Sequence, residues 1–304
     1  MNNPQSVINS KSVAATILMP DANNGYYRGT RFDWSGIISD LSFNGHTYFG
    51  KWFEKYSATL HDAIMGPVEE FQPINYDETD AGGNFIMIGV GVLKKPDNSD
   101  HNRFGYYEIV NHGSWKVIRK PDQVQFIHKL LNGGYSYEYI KTVRLLKDKP
   151  VLELSHILKN SGQLNIDTNV YNHNFFVMDN RPVGPEYMVA FPFKISGEGL
   201  GIGDIAEFHD TRILFRRTLA EGETIFCNSV TGFRKDPRDL DIKIENNETG
   251  AGVRITGDKP LLKLFFWACP TTLCPETYVD IKIKPGEEFR WKFSYEFYTF
   301  NTQK

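Results

Sequence analysis

The sequence of 304 residues lacks what several function classes require. Its three cysteines, Cys227, Cys269 and Cys274, are an odd number and make no disulfide framework, and a chain of this length buries a core without such staples. Cys269 and Cys274 belong to no paired Cys/His pattern of the zinc kind, so free, buried or half-buried thiols are expected. No run of about 18 apolar residues is available to span a membrane. A basic excess is missing too. The 34 Lys and Arg stand against 37 Asp and Glu for a net charge of -3, with no basic stripe for nucleic acid or a membrane surface. The N-terminal MNNPQSVINSKSVAATILMP has no cationic start followed by a long apolar run, and a cytoplasmic location is the expectation. Amphipathic helix patterns longer than about ten residues, charge blocks, low-complexity segments and repeats of fixed period are absent.

The familiar catalytic signatures are missing as well. There is no G-x-S-x-G elbow, no H-E-x-x-H and no P-loop. GEGLGIGD (197–204) looks like a phosphate-binding loop, but it follows no clear strand, opens no clear helix and lacks the third glycine of G-x-G-x-x-G. It reads as a flexible turn. Asn247-Glu-Thr fits a glycosylation acceptor, relevant only to a secreted protein.

What the chain has is aromatic residues, 14% of the total with 22 Phe and 15 Tyr, and a period of two. Aromatics suit the pleated surface of a sheet, and they also stack on the apolar faces of sugars. In EEFRWKFSYEF, Phe289, Trp291, Phe293, Tyr295 and Phe297 share one face while Arg290, Lys292, Ser294 and Glu296 share the other. YVDIKIK alternates before it, and the intervening PGE turn makes the pair read as a hairpin. YSYEYIKTVRLL (135–146), VLELSHIL (151–158), DIKIE (241–245) and AGVRI carry the same signal. So do VAATILM, GIISDLSF, NFIMIGV, GYYEIV, SWKVIR and QVQFIHKLL, with Gly, Asn, Asp and Pro clusters between them. The expected fold is all-β, one domain over residues 1–304, with antiparallel strands in a large sandwich of packed sheets.

Four clusters carry the candidate chemistry. In NVYNHNFFVMDN (169–180), alternation puts His173 on the more apolar face of a strand, flanked by Asn172 and Asn174. Asparagine is a poor strand former, and local rule-breaking of this kind marks functional sites. Packing, metal ligation and proton transfer all remain open for His173 at this point. His156 and His128 alternate with apolar neighbours and read as packing; His112 sits in a turn between strands. In GYYRGTRFDWSG, Arg28 and Arg31 stand among aromatics and glycines, where a guanidinium fork-bonds hydroxyls or a carboxylate. In LHDAIMGPVEEF, His61, Asp62, Glu69 and Glu70 surround a Gly-Pro turn; metal ligation by such a set is conceivable but unspecific. In CPETYVDIKIKPGEEF, Glu276 reads as a loop carboxylate just before the final hairpin.

Together these segments resemble the galactose mutarotase-like (aldose 1-epimerase) superfamily. The mid-chain YNHNFF strand and the Glu-bearing CPET, with the strand, PGE turn and aromatic strand after it, carry the resemblance over nearly the whole chain. GYYRGTRFDWSG and GPVEEF are similar to a divergent bacterial branch. The resemblance implies a β-supersandwich of large antiparallel sheets, a sugar site on a concave sheet face, and no cofactor. It implies a small-molecule sugar as partner, with no nucleic acid and no membrane, and leaves the oligomeric state open. The implied chemistry is mutarotation, with Glu276 as base on the anomeric hydroxyl and His173 as acid on the ring oxygen. The two are expected to face each other about one sugar ring apart across an aromatic-lined cleft. Arg31, His61, Glu70 and Asn174 are the candidate substrate-binding residues, the family's own arginine and second-histidine segments having no match here. The chain departs from the family pattern where Tyr278 replaces the Gln after Glu-Thr, and in lacking the Gly-Arg-Tyr-Ala-Asn-Arg and Leu-His-Gly-Gly segments. Two other readings accompany the isomerase. One is a non-catalytic carbohydrate-binding protein on the same fold. The other is a lyase or hydrolase of uronic-acid saccharides, with Arg28 and Arg31 neutralising the uronate.

Overall fold

Period-two alternation with no helical pattern produces strands throughout the computed structural model, which describes residues 3–302. The larger sheet has ten antiparallel strands. In spatial order they are Ala206–His209, Arg212–Phe215, Tyr187–Ala190, Asp241–Asn246, Ala251–Gly257, Glu288–Thr299, Val151–Asn160, Tyr137–Leu145, Gln123–Leu130 and Ser114–Lys120. A second sheet has five, in the order Ile225–Val230, Lys263–Cys269, Thr272–Ile283, Ile166–His173 and Val68–Phe71. Four strands between Gln5 and Phe49 and three between Asn84 and Asn111 form two smaller sheets. Among the described residues the helical content is one 3-10 turn, Pro237–Asp239, and no helix is long and apolar enough to cross a membrane.

Most expected strands are present at their sequence positions, though GYYEIV is strand only from Ile109 and NFIMIGV only over Asn84–Met87, and the long aromatic strand shows why. In Glu288–Thr299, Trp291, Phe293, Tyr295 and Phe297 are buried, while Arg290, Lys292 and Glu296 are exposed. The buried face packs on the inner face of the five-stranded sheet in one continuous apolar core. Tyr295 reaches across to Asn174, its hydroxyl donating at 2.8 Å.

Two expectations are corrected here. YVDIKIK and EEFRWKFSYEF do not form a hairpin. Thr272–Ile283 belongs to the five-stranded sheet and Glu288–Thr299 to the ten-stranded one, where it pairs with Val151–Asn160 and Ala251–Gly257. Both segments own a long apolar face, so each can line one wall of the sandwich, and the turn at Lys284–Glu287 carries the chain from one wall to the other. That turn is fixed from outside, the Gly286 N–H donating to the Asn160 carbonyl at 2.9 Å. Glu276, second, is not in a loop. It lies inside the strand Thr272–Ile283, whose first eight residues are buried on both faces.

That double burial locates the site. Val170, Tyr171, Asn172 and His173, at the end of their strand, are all buried as well. One face of this end of the sheet meets the ten-stranded sheet. The other is covered by the long connections around residues 25–35, 52–66 and 103–107, which contribute Tyr27, Phe32, Trp34, Met65 and Tyr107 to a second apolar cluster.

Candidate functional site

Antiparallel register brings distant segments together on the covered face. Tyr171 pairs with Tyr278 and Asn172 with Thr277, so the next step sets Glu276 against His173. On the other side Tyr171 pairs with Glu70 and His173 with Val68. Residues two apart share a face, so His173, Tyr171, Glu276, Tyr278 and Glu70 lie together. His173 Nε2 is 3.5 Å from Glu276 Oε1. This is contact between cross-strand neighbours, closer than the expected sugar-ring separation, because directly opposed side chains start only about 5 Å apart at Cβ.

Both residues line a cavity of about 400 Å³, with Arg31, Arg103, Trp52, Phe175 and Trp267 among its other walls. Phe175 takes a φ of 35°, uncommon for a bulky residue. The turn lays its ring parallel to the His173 imidazole, 3.8 Å between centroids and 4° between planes. Trp52 stacks on the other side of Phe175 at 4.8 Å, and Trp267 stands edge-on to His173 at 5.6 Å. At the mouth Phe104, Leu200 and Phe226 are exposed. Aromatic walls with a few fixed polar groups are the usual construction of a small-molecule site.

Arg31 and Arg103 reach the cavity from connecting segments and are held by one carboxylate. Arg31 Nε donates to Glu70 Oε2 at 2.6 Å, its Nη1 pairs with Asp62, and its Nη2 donates to the Tyr171 hydroxyl at 3.1 Å. Every nitrogen of Arg31 is thus committed. Arg103 Nη2 is 2.9 Å from Glu70 Oε1, and the Tyr171 hydroxyl also donates to Glu70. Glu70 is therefore the clamp of the two guanidinium groups, and it is not among the cavity-lining residues.

The ionisation of the central pair follows from burial and from these cations. Burial, with Arg31 and Arg103 adding to it, holds the His173 imidazole well below its usual value. Burial pushes the Glu276 carboxyl up to about 7, the nearby Arg31 opposing it. At neutral pH the imidazole is uncharged and the carboxyl is partly protonated. On the mildly acidic side of neutrality the pair holds one proton, which rests on Glu276 and is about half gone near pH 7. His173 Nδ1 is shut off from solvent with no hydrogen-bond partner.

Behind the sheet lies a second polar layer, wholly buried. Glu69 Oε1 is 2.8 Å from His156 Nε2 and accepts from Asn172 Nδ2 at 3.1 Å, while Lys141 pairs with the other oxygen. Lys141 Nζ also donates to the Ser35 carbonyl at 2.8 Å and stands 3.8 Å from Asp33 Oδ2. The Asp33 N–H in turn donates to the Glu69 carbonyl at 2.9 Å. Three segments that carry Arg31, Glu70 and His173 on one side are thereby tied together on the other.

The structure thus brings His173, Glu276 and Arg31 into one cavity with Glu70 directly behind Arg31. It does not bring the other two expected residues there. His61 bonds Asp62 Oδ2 at 2.9 Å and stands edge-on to Phe104, outside the cavity lining. Asn174 is fully buried beneath the sheet, donating to the Pro275 carbonyl and accepting from Tyr295; strand alternation turns it away from the face that His173 uses. His156, expected to pack, does stack on Trp291 at 4.6 Å, and its Nε2 is also hydrogen-bonded to Glu69. The His61, Asp62, Glu69 and Glu70 set does not converge, since Glu69 and Glu70 face opposite sides of their strand. Among the described residues no group of three or more His, Cys, Asp or Glu side chains is arranged to hold a metal. The sequence reading missed Arg103, Trp52, Phe226 and Trp267. In KLFFWAC the half-buried Phe265 and Trp267 alternate with buried neighbours, and large aromatics on a half-exposed face were the available signal. Nothing local in HNRFG distinguishes Arg103.

No family model and no curated protein matches the chain. Solved structures do. A GalM/aldose epimerase homologue from C. elegans aligns with TM-score 0.60 and 13% identity over 99% of this chain and 100% of its own. A galactose mutarotase related enzyme from Lactobacillus acidophilus aligns with TM-score 0.56 and 11% identity over 99% and 100%. A galactose mutarotase-like protein from Lactobacillus casei gives TM-score 0.56 and 11% identity over 97% and 100%. By its all-β architecture and these end-to-end alignments, the chain has the fold of the galactose mutarotase-like, aldose 1-epimerase superfamily.

Proposed function

We propose that the chain is an isomerase of the aldose 1-epimerase type, interconverting the anomers of a sugar held in the His173–Glu276 cavity. One observation carries the reading: a neutral imidazole and a carboxyl poised near neutrality stand 3.5 Å apart, walled by aromatic rings. Opening a pyranose requires removal of the proton on the anomeric oxygen and delivery of a proton to the ring oxygen. In the resting ionisation His173 accepts the first and Glu276 delivers the second. The C1–O5 bond breaks to give an open-chain aldehyde, which rotates about C1–C2. Reclosure returns both protons by the same two groups. This order reverses the roles that the family resemblance implies, but it uses the same two residues and the same single proton. A positioned acid and base each contribute roughly 10²–10⁴-fold. The Arg103 guanidinium, held through Nη2 by Glu70, supplies further donors for substrate oxygens, and Trp52 and Trp267 supply apolar faces for the ring.

The test is polarimetry of freshly dissolved α-anomers of hexoses, pentoses and uronic acids. The protein should speed relaxation for at least one sugar, and His173→Asn and Glu276→Gln should each lower kcat at least a hundredfold. Binding of sugars without any acceleration would instead favour a non-catalytic carbohydrate-binding protein.

A further inference from the structure

The two arginines that the sequence sets three residues apart, Arg28 and Arg31, have opposite fates. Arg31 is saturated by Asp62, Glu70 and Tyr171, so its charge is already answered inside the first cavity. Arg28 lines a separate cavity of about 580 Å³, with Asn3, Asn23, Asn24 and Tyr56. Arg28 Nε is shut off from solvent and has no hydrogen-bond partner. The Asp21 carboxylate is held below its usual value first by the N–H groups of Asn24 and Asn23, at 2.7 and 2.8 Å, and also by the nearby Arg28 charge, and it makes no hydrogen bond to that guanidinium. Nε itself is closed to an incoming group, but among the described residues no side-chain hydrogen bond or ion pair holds this guanidinium, so its outer Nη nitrogens at the cavity wall are left for an oxyanion.

The Asp21–Gly25 loop is tight, the Gly25 N–H donating to the Asp21 carbonyl at 2.8 Å, and a Cβ at Gly25 would run into that same carbonyl. The loop therefore presents Asn23 and Asn24 on a fixed backbone. Tyr56 stacks on Tyr26 at 4.6 Å with its hydroxyl donating to the Tyr26 carbonyl at 2.7 Å, which leaves a rigid aromatic wall. Amide groups, a guanidinium and a stacked phenol are the side chains that meet a polyhydroxylated ring. The Arg28 N–H also donates to the Ala58 carbonyl at 2.6 Å. The segments giving Arg31 and Asp62 to the first cavity thus give Arg28 and Ala58 to the second.

We propose that the Arg28 cavity is a second ligand site, distinct from the His173–Glu276 cavity, which takes a sugar acid: carboxylate on the Arg28 fork, hydroxyls on Asn23 and Asn24, ring against Tyr56. The experiment is titration calorimetry of the full chain with sodium D-glucuronate, its uncharged methyl ester and inorganic phosphate, run on the unaltered protein, Arg28→Gln and Arg28→Lys. Glucuronate should bind about ten- to a hundredfold more weakly to Arg28→Gln, the range expected for one charge-assisted contact. The ester should resemble that loss on the unaltered protein. Arg28→Lys, which keeps the charge but not the fork, should recover only part. A crystal soak should place the carboxylate on Arg28. Glucuronate binding unaffected by Arg28→Gln, or a soak that fills only the His173 cavity, overturns the proposal. Phosphate binding as tightly as glucuronate with the same dependence on Arg28 overturns its sugar-acid assignment.

Discussion

Glu69 and Glu70 are consecutive in one strand and serve opposite faces of one sheet. The Glu69 carboxylate lies in the buried layer with Lys141 and His156; the Glu70 carboxylate binds Arg31 and Arg103 beside the cavity. Period two makes this possible, and it lets four residues of chain both anchor the sandwich and shape the site.

From this follows a role for Glu70 that does not require it to touch a sugar. Glu70→Gln keeps the shape but weakens its hold on two guanidinium groups, and Arg31 retains only Asp62 and Tyr171. Displacements on the order of 1 Å in a positioned group cost as much as 10²-fold. The expected outcome is a ten- to hundredfold loss in kcat/KM carried mainly by KM, with the melting temperature changed far less than in Glu69 variants. Steady-state polarimetry paired with thermal denaturation checks it. A loss confined to kcat would instead give Glu70 a part in proton transfer.

Much of this was legible in the chain. Most strands announced themselves by one wet and one dry face, as Glu288–Thr299 does, whereas the site end of Thr272–Ile283 is buried on both. His173 stood out because asparagines flank it in a strand, and both asparagines prove to be buried and bonded, Asn172 to Glu69 and Asn174 to Pro275 and Tyr295. Lys141 sat on the aromatic face of YSYEYIKTVRLL, which was the one local trace of the buried ion cluster. What could not be read was partnership across sheets. The hairpin expectation failed because two alternating strands joined by a short turn look alike whether they pair or cross between walls. Arg103 was invisible because its carboxylate partner, Glu70, is 33 residues away and joins it only through the fold.

The pH dependence of the reaction should report the shared proton. Burial raises the Glu276 carboxyl to about 7 and depresses His173 well below its usual range, so the pair carries one proton from mildly acidic pH up to about neutrality. Above that the proton leaves, and kcat/KM should fall tenfold for each further pH unit, with a flat limb from about pH 6 to 7. The profile counts protons on the pair, so it holds for either order of transfer. A rate that climbs between pH 7 and 8 contradicts it. The same shift has a stability consequence. A carboxyl whose folded value lies above its unfolded one costs stability progressively as pH rises from about 4.5 to about 7, levelling off at about 3 kcal/mol above that. Glu276→Gln should therefore be inactive and, at pH 8, more resistant to urea than the unaltered protein.

The buried layer makes the opposite kind of prediction, because its charges have partners. Glu69, Lys141 and His156 are fully buried, and removing one member of such a set strands the others without solvent. Glu69→Leu leaves the Lys141 ammonium with the Ser35 carbonyl and an Asp33 carboxyl that burial has pushed up to about 7, and should cost about 3–5 kcal/mol. Replacing the set by apolar side chains of similar volume, Glu69→Leu with Lys141→Met and His156→Phe, removes these charges together with their attraction and leaves Asp33, whose carboxyl burial already pushes up, to keep its proton beside Ser35. Such exchanges are often neutral or stabilising, so the triple variant should be more stable than Glu69→Leu alone by at least about 2 kcal/mol. Urea unfolding at pH 7 followed by far-ultraviolet circular dichroism measures both. A triple variant less stable than the single one would mean that the ion cluster contributes net stability, beyond the mutual compensation of its charges. With Glu69 gone, Asn172 also loses its acceptor at 3.1 Å, so any shift in the strand end should appear as a lower kcat/KM in the triple variant even where its stability is restored.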